Sequence, residues 1–238
     1  MRIDKLLAHS GLGTRKEVKK LLKTSIVEIN GETVKDPKTQ VNPDVDEVLI
    51  AGESLDYQEY VYFILNKPAG VISATEDDMH ETVLDLLQPS DIVQEPHPVG
   101  RLDIDTEGLL LLTNDGALTH RLLSPKHHVD KKYFAEIKGI VTEKDITKFK
   151  EGVELDDEYL TMPAELTIID IDTEEEISKI EIVIQEGKFH QVKRMFHAVD
   201  KEVLYLKRLS MGSLSLDPLL ELGAYRECTK EEVQRLKA

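Results

Sequence analysis

Apolar residues recur along the chain in two rhythms. Near the start, Leu6 and Leu7 open a short helical period that Gly11 and Gly13 end, and Val18, Leu21 and Leu22 then repeat at i, i+3 and i+4. Thr14, followed three residues later by Glu17, forms a capping box that starts this second helix. Two short helices therefore meet at a glycine turn. The stretch Val27 to Val34 alternates about Asn30-Gly31, the strongest short hairpin signal, because both turn positions tolerate positive φ. Asp36-Pro37 and Asn42-Pro43 mark loops, Val45, Glu47, Val48 and Ile50 alternate once more, and Asp56 to Tyr60 reads as a polar linker. A boundary is expected there, dividing the chain into domains 1–57 and 58–238.

The second part is strand-rich. Val61 to Leu65, Leu109 to Leu112, Tyr133 to Ile137, Leu160 to Ile171, Ile177 to Ile184 and Val203 to Leu206 are short apolar or β-branched runs. Helices are expected at Thr82 to Leu87, Ala117 to Leu123, Ile146 to Glu151, Gln191 to Val199 and Thr229 to Leu236, the last with its own capping box of Thr229 and Glu232. Strands do not alternate strictly with helices, so the expected class is α+β with a mixed sheet and not a doubly wound parallel one.

Composition sharpens the picture. The 238 residues are 40% apolar and 32% charged, with 30 basic and 46 acidic side chains, a formal charge of −16. The single cysteine, Cys228, cannot close an internal disulfide, so the reducing cytoplasm is the expected compartment. The opening MRIDKLLAHSG lacks the unbroken apolar core of a signal peptide, and no apolar run approaches the ~20 residues of a membrane helix. Taken globally, the acidity argues against a nucleic-acid partner. The distribution of charge along the chain argues for one. Residues 1–25 hold seven basic and two acidic side chains, net +5, against 23 and 44 in the remainder, net −21. Arg2 and Lys5, with Arg15, Lys16, Lys19, Lys20 and Lys23 on the polar arc of the second helix, are candidate phosphate contacts. The plain alternative is an ordinary solvated helix face.

Familiar chemical motifs are absent: the chain has no C-x-x-C, H-E-x-x-H or EF-hand loop, so no metal is expected, and with no glycine-rich nucleotide loop and no G-x-S-x-G, nucleotide binding and serine or cysteine nucleophiles lack support. Two constellations stand out. Asp103, Asp105, Glu107 and Asp115 lie within 13 residues that run into Leu109 to Leu112, with Arg101 the lone base beside them. Such carboxylates suit a cation site, a general acid/base pair, a covalent nucleophile or merely a solvated turn. Lys188, Phe189, His190, Gln191, Lys193, Arg194, Phe196 and His197 interleave basic and aromatic groups, the equipment for unpaired nucleotides. There the alternative is an amphipathic helix with Val192, Phe196 and Val199 inward. Strand alternation turns Tyr133, Ala135 and Ile137 to one face, so Tyr133 faces inward, as a core tyrosine also would.

In their order, Asn66-Lys67-Pro68-Ala69-Gly70-Val71-Ile72-Ser73, Gly100-Arg101-Leu102-Asp103-Ile104-Asp105-Thr106-Glu107-Gly108-Leu109, Lys132-Tyr133 and Glu186 to Phe196 resemble the RsuA/RluB-type ribosomal RNA pseudouridine synthases. Residues 1 to about 55 resemble the S4-like RNA-binding domain that precedes the catalytic domain in that family. The resemblance implies a small S4-like α/β domain, then a mixed, mainly antiparallel catalytic domain, and cofactor-free isomerisation of a uridine within RNA. It implies Asp103 as the catalytic carboxylate, Tyr133 as the active-site tyrosine, Lys193 or Arg194 as the basic partner of Asp103, and Arg101, Lys188, His190 and Gln191 as RNA contacts. Ribosomal RNA is the implied partner, 16S ahead of 23S, for a monomeric enzyme. A noncatalytic ribosome-assembly factor and a metal-assisted hydrolase using Asp103, Asp105 and Asp115 are the rival readings.

Overall fold

In the first unit, Leu6, Leu7, Val18, Leu22 and Val27 lose all solvent exposure and form one core with Ile3, Val41 and Val48. The computed structural model describes every residue of the chain except Asp44 and Asp56, so the first residue of the expected linker lies outside the described residues. Helices α1 (Ile3–His9) and α2 (Arg15–Leu22) supply most of that core. The capping box forms as expected: the Thr14 hydroxyl accepts from the Glu17 amide at 3.3 Å, and the Glu17 carboxylate accepts from the Thr14 amide at 2.8 Å. Strands β1 (Val27–Ile29), β2 (Glu32–Thr33), β3 (Val48–Ile50) and β4 (Glu53–Ser54) form a sheet ordered β2-β1-β3-β4, with Asn30 and Gly31 both at positive φ in the hairpin turn. The unit comprises Met1–Val61 together with Leu87–Pro96, which carries the single-turn α3 (Pro89–Ile92). The sequence pattern assigns residues 87–96 to the second domain, whereas their contacts group them with the first.

The second unit comprises Tyr62–Leu86 and His97–Ala238. Its elements are β5 (Tyr62–Lys67), β6 (His97–Pro98), β7 (Glu107–Thr113), α4 (Gly116–Leu123), β8 (Lys131–Lys138), α5 (Glu143–Glu151), β9 (Glu165–Asp172), β10 (Ile177–Ile184), α6 (Gln191–His197), β11 (Glu202–Met211), β12 (Leu214–Ser215), β13 (Tyr225–Glu227) and α7 (Lys230–Lys237). They build a nine-stranded sheet ordered β13-β5-β7-β11-β8-β10-β9, with β12 beside β11 and β6 beside β7. Every pairing is antiparallel except β7 with β11. The fold is therefore α+β, dominated by antiparallel pairing. Leu109 to Leu112 are buried on both faces of β7, as a four-residue apolar run requires, and Leu109 and Leu111 join Tyr62, Ile64, Val99, Leu118 and Leu122 in one cluster.

Two expectations fail locally. Thr82 to Leu87 is not a helix: Thr82 bridges Ile72, the Asp85 carboxylate binds the Thr82 amide and hydroxyl at 2.7 and 2.8 Å, and the chain folds as turns before Pro89. The strand expected from Leu160 begins only at Glu165, because Leu160 pairs instead with Glu154 in an isolated bridge.

Candidate active site

A loop is only as precise as its supports, and the one carrying Asp103 is held by its backbone. The Ser73 hydroxyl binds both polar backbone groups of Leu102, each at 3.0 Å. The Gly70 amide donates to the Ile104 carbonyl at 2.7 Å, and the Thr106 amide donates to the Asp103 carbonyl at 3.0 Å. At the end of β5, Lys67 has no solvent exposure, and its Nζ reaches the carbonyls of Pro68 (2.9 Å), Asp103 (3.1 Å), Ile104 (3.5 Å) and Thr106 (2.9 Å). Burial pulls the Lys67 pKa down to about 8, partly offset by the charges of Asp105, Asp103 and Glu107. Lys67 and Ser73 belong to a motif the sequence displays, but apart from the adjacent Pro68 carbonyl their partners are backbone groups of residues 102–106, some 29 to 39 residues away, which nothing local shows.

The Asp103 side chain, freed from supporting its own loop, meets α6. Lys193 Nζ lies 3.0 Å from Asp103 Oδ2 and 2.6 Å from Asp105 Oδ1, and His190 Nε2 lies 3.6 Å from Asp103 Oδ1. Burial would lower the Lys193 pKa, but hydrogen bonds to the two aspartates outweigh it and raise it. For Asp105, burial works upward and the Lys193 hydrogen bond overrides it, so its pKa falls. Arg194, one residue further round the helix, turns elsewhere: its Nε donates to Asp156 at 2.6 Å and its Nη2 lies 2.7 Å from Asp157. Of the two bases expected beside Asp103, the one in contact is Lys193.

Tyr133 is 7% exposed and lines a pocket of about 70 Å³ with Arg101, Leu102, Asp103, Thr106, Ile184, Lys188, His190, Gln191, Lys193 and Leu206. The inward turn of Tyr133, Ala135 and Ile137 on β8 follows strand alternation. The polar candidates separate by circumstance. Arg101 is exposed at the pocket. Lys188 Nζ lies 4.3 Å from the centre of the Tyr159 ring. Gln191 is buried and its amide is committed internally, donating to Glu186 at 3.0 Å and accepting from the Lys188 amide at 3.0 Å, so the structure casts it as a brace for the 186–191 loop. In the first unit, Arg15, Lys16, Lys19, Lys20 and Lys23 are exposed on or beside α2, Lys5 is half-buried, and Arg2 is held by Asp4 at 2.7 Å.

The four acids do not converge. Glu107 accepts from the Tyr205 hydroxyl at 2.6 Å, and Asp115 caps α4 through the Leu118 amide at 2.9 Å while accepting from the Tyr62 hydroxyl at 2.9 Å. Among the described residues, no group of three or more His, Cys, Asp and Glu side chains could hold a metal ion. Burial pushes the Cys228 thiol up to about 12, so it is a poor source of thiolate.

The chain itself matches a known family. Residues 61–198 match the RNA pseudouridylate synthase family and residues 1–46 match the S4 domain. The chain belongs to the RNA pseudouridylate synthases. An uncharacterised RNA pseudouridine synthase of Bacillus subtilis (strain 168) is 53% identical over 99% of this chain and 98% of its own length. The ribosomal large subunit pseudouridine synthase B of the same organism is 40% identical, covering 100% and 96% of the two chains, and the ribosomal small subunit pseudouridine synthase A of Escherichia coli (strain K12) is 38% identical, covering 98% of each. A crystal structure of a pseudouridylate synthase superposes with a TM-score of 0.68 at 38% identity, covering 99% of each chain. The synthase is thus an isomerase with an N-terminal S4 domain. Among its described residues, no helix is long and apolar enough to cross a membrane.

Proposed function

We propose that this protein converts a specific uridine of ribosomal RNA to pseudouridine in the cytoplasm, acting as a monomer without a cofactor, and that its substrate is 16S rather than 23S RNA. The observation that carries the reading is the Asp103–Lys193 contact beside Tyr133, in a member of a family whose relatives act on both ribosomal subunits. The N1–C1′ bond of the uridine breaks, the uracil turns, and C5 bonds to C1′; the C5 proton leaves and N1 gains one, so nothing is oxidised or hydrolysed. Asp103 is the reacting carboxylate, at the sugar or on the detached base, and Lys193 holds it in place through charge and a hydrogen bond. Tyr133 stacks on the flipped uracil or takes part in removing the C5 proton, while Leu102, Ile184 and Leu206 keep water away. Arg101, Lys188 and His190 contact the RNA at the pocket, and the exposed bases of α2 engage phosphates.

The test is to incubate the protein with unmodified 16S and 23S transcripts and their ribonucleoprotein particles, then to map pseudouridine by chemical adduct and primer-extension stop. One new stop in 16S RNA is expected. A stop only in 23S RNA would overturn the substrate assignment, and binding without any stop would return Asp103 to the status of a turn residue.

A further inference from the structure

Beside the pocket, Phe189 exposes 71% of its surface, although the rest of its loop is braced. Glu186 accepts from the Tyr159 hydroxyl, from the Met162 amide at 2.8 Å and from Gln191, which in turn ties down the Lys188 amide. His190 follows at φ 48°, a left-handed conformation that costs a non-glycine residue energy and is kept where the surrounding structure enforces it. That bend lays the Phe189 ring on the His190 imidazole, with centroids 3.7 Å apart and planes 20° from parallel. One face of the imidazole is therefore occupied by Phe189, while its Nε2 lies 3.6 Å from the Asp103 carboxylate. Burial does not explain the ring; Arg194, whose charge is met by Asp156 and Asp157, donates from Nη1 to the Phe189 carbonyl at 3.4 Å, and Lys188 adjoins it in the chain. An exposed aromatic face backed by a stacked imidazole on a braced loop is what an unpaired base stacks on.

We propose that the Phe189–His190 stack is a step for the nucleotide adjoining the target uridine: the neighbouring base lies on the outer face of Phe189 and thereby holds the strand while the uridine occupies the pocket. The inference rests on the RNA-modifying function proposed above and adds a positioning residue to it. The step reads a π face and not a base edge, so it tolerates any neighbouring base and penalises a missing one.

The chain contains no tryptophan, so Phe189→Trp introduces a single reporter that keeps an aromatic face. A single-stranded, uridine-rich RNA oligonucleotide is expected to quench its emission as it binds. Binding registered by filter retention without quenching would overturn the step, and this arm does not depend on turnover. With the transcript in which pseudouridine forms, Phe189→Ala and Phe189→Leu are expected to raise KM about tenfold with a smaller effect on kcat, and Phe189→Trp to restore it. An abasic site beside the target should raise the wild-type KM similarly and add little to Phe189→Ala. Wild-type KM in Phe189→Leu, or additive losses with the abasic substrate, would refute the proposal. A defect confined to ribonucleoprotein particles would refute it too, assigning the ring to a ribosomal protein. Absence of product with the wild-type protein would instead refute the function proposed above.

Discussion

Asp103 and Lys67 divide the work at the scale of single residues, one side chain facing the pocket and the other supporting the loop from behind. Asp103→Asn keeps the shape and removes the charge, so it is expected to fold and to retain RNA affinity while product formation falls by roughly 10³-fold or more, measured as single-turnover pseudouridine yield. Lys193→Met should lower kcat by about 10²-fold, whereas Arg194→Met, whose partners are Asp156 and Asp157, should act mainly on KM. The choice between these neighbours was not legible in the sequence: consecutive helix residues point about 100° apart, and only the packing of α6 decides which faces the carboxylate. Lys67 has a separate signature. Its pKa of about 8 in the fold lies below the ordinary 10.5, so between those values the unfolded chain binds the extra proton and this group raises stability with pH. Over the same range the ammonium becomes an amine with two donors for four carbonyls, and the loop loosens. Turnover is therefore expected to decline as pH passes about 8 while this group's share of stability rises, an opposition that kcat and urea-midpoint profiles between pH 7 and 10 would reveal; a parallel decline would exclude Lys67 as the titrating group.

Elements with a local cause were the ones that could be read in advance. The capping boxes Thr14/Glu17 and Thr229/Glu232 start α2 and α7, Asn30-Gly31 turns the first hairpin, and Leu109 to Leu112 form the buried strand β7. A strand set by a distant partner escaped, since β13 exists because Tyr225 to Glu227 pair with β5, and so did α3, a single turn begun by Pro89 and too short to show a period. Thr82 to Leu87 has the polarity of a helix but lies across a bridge to Ile72. The contact between β7 and β11 was equally invisible, and it depends on a glycine. A Cβ on Gly108, whose φ is +103°, would collide with the Arg208 carbonyl oxygen and come within 2.7 Å of its amide nitrogen. Gly108→Ala is therefore expected to destabilise the protein by about 3 kcal/mol or more through strained φ and displaced backbone. Chemical denaturation would measure it, and a loss below about 0.5 kcal/mol would show that the two strands part easily.

Across the whole molecule, charge is segregated by sequence, net +5 in residues 1–25 and −21 beyond them. Neutralising Lys16, Lys19 and Lys20 together is expected to weaken RNA binding uniformly across sequences and to reduce the slope of log K against log salt by about 2 to 3, with kcat at saturating RNA largely retained. An unchanged slope would remove α2 from the interface. Substitution is a cleaner test than deleting residues 1–55, because Leu87–Pro96 packs as part of that unit and would be left uncovered. The sheet order β7-β11-β8 also has a meaning in time. β11 lies between strands made some 70 to 100 residues earlier, so a ribosome has produced Asp103 and Tyr133 long before the strand that joins β5 and β7 to β8, β10 and β9. Until it arrives, β8 presents a bare edge, β7 presents one covered only at its far end by the two-residue β6, and the nascent chain holds two half-sheets without a working site. Premature termination before residue 202 should thus yield aggregation instead of a weak enzyme, and the last long strand synthesised is the one that makes the molecule whole.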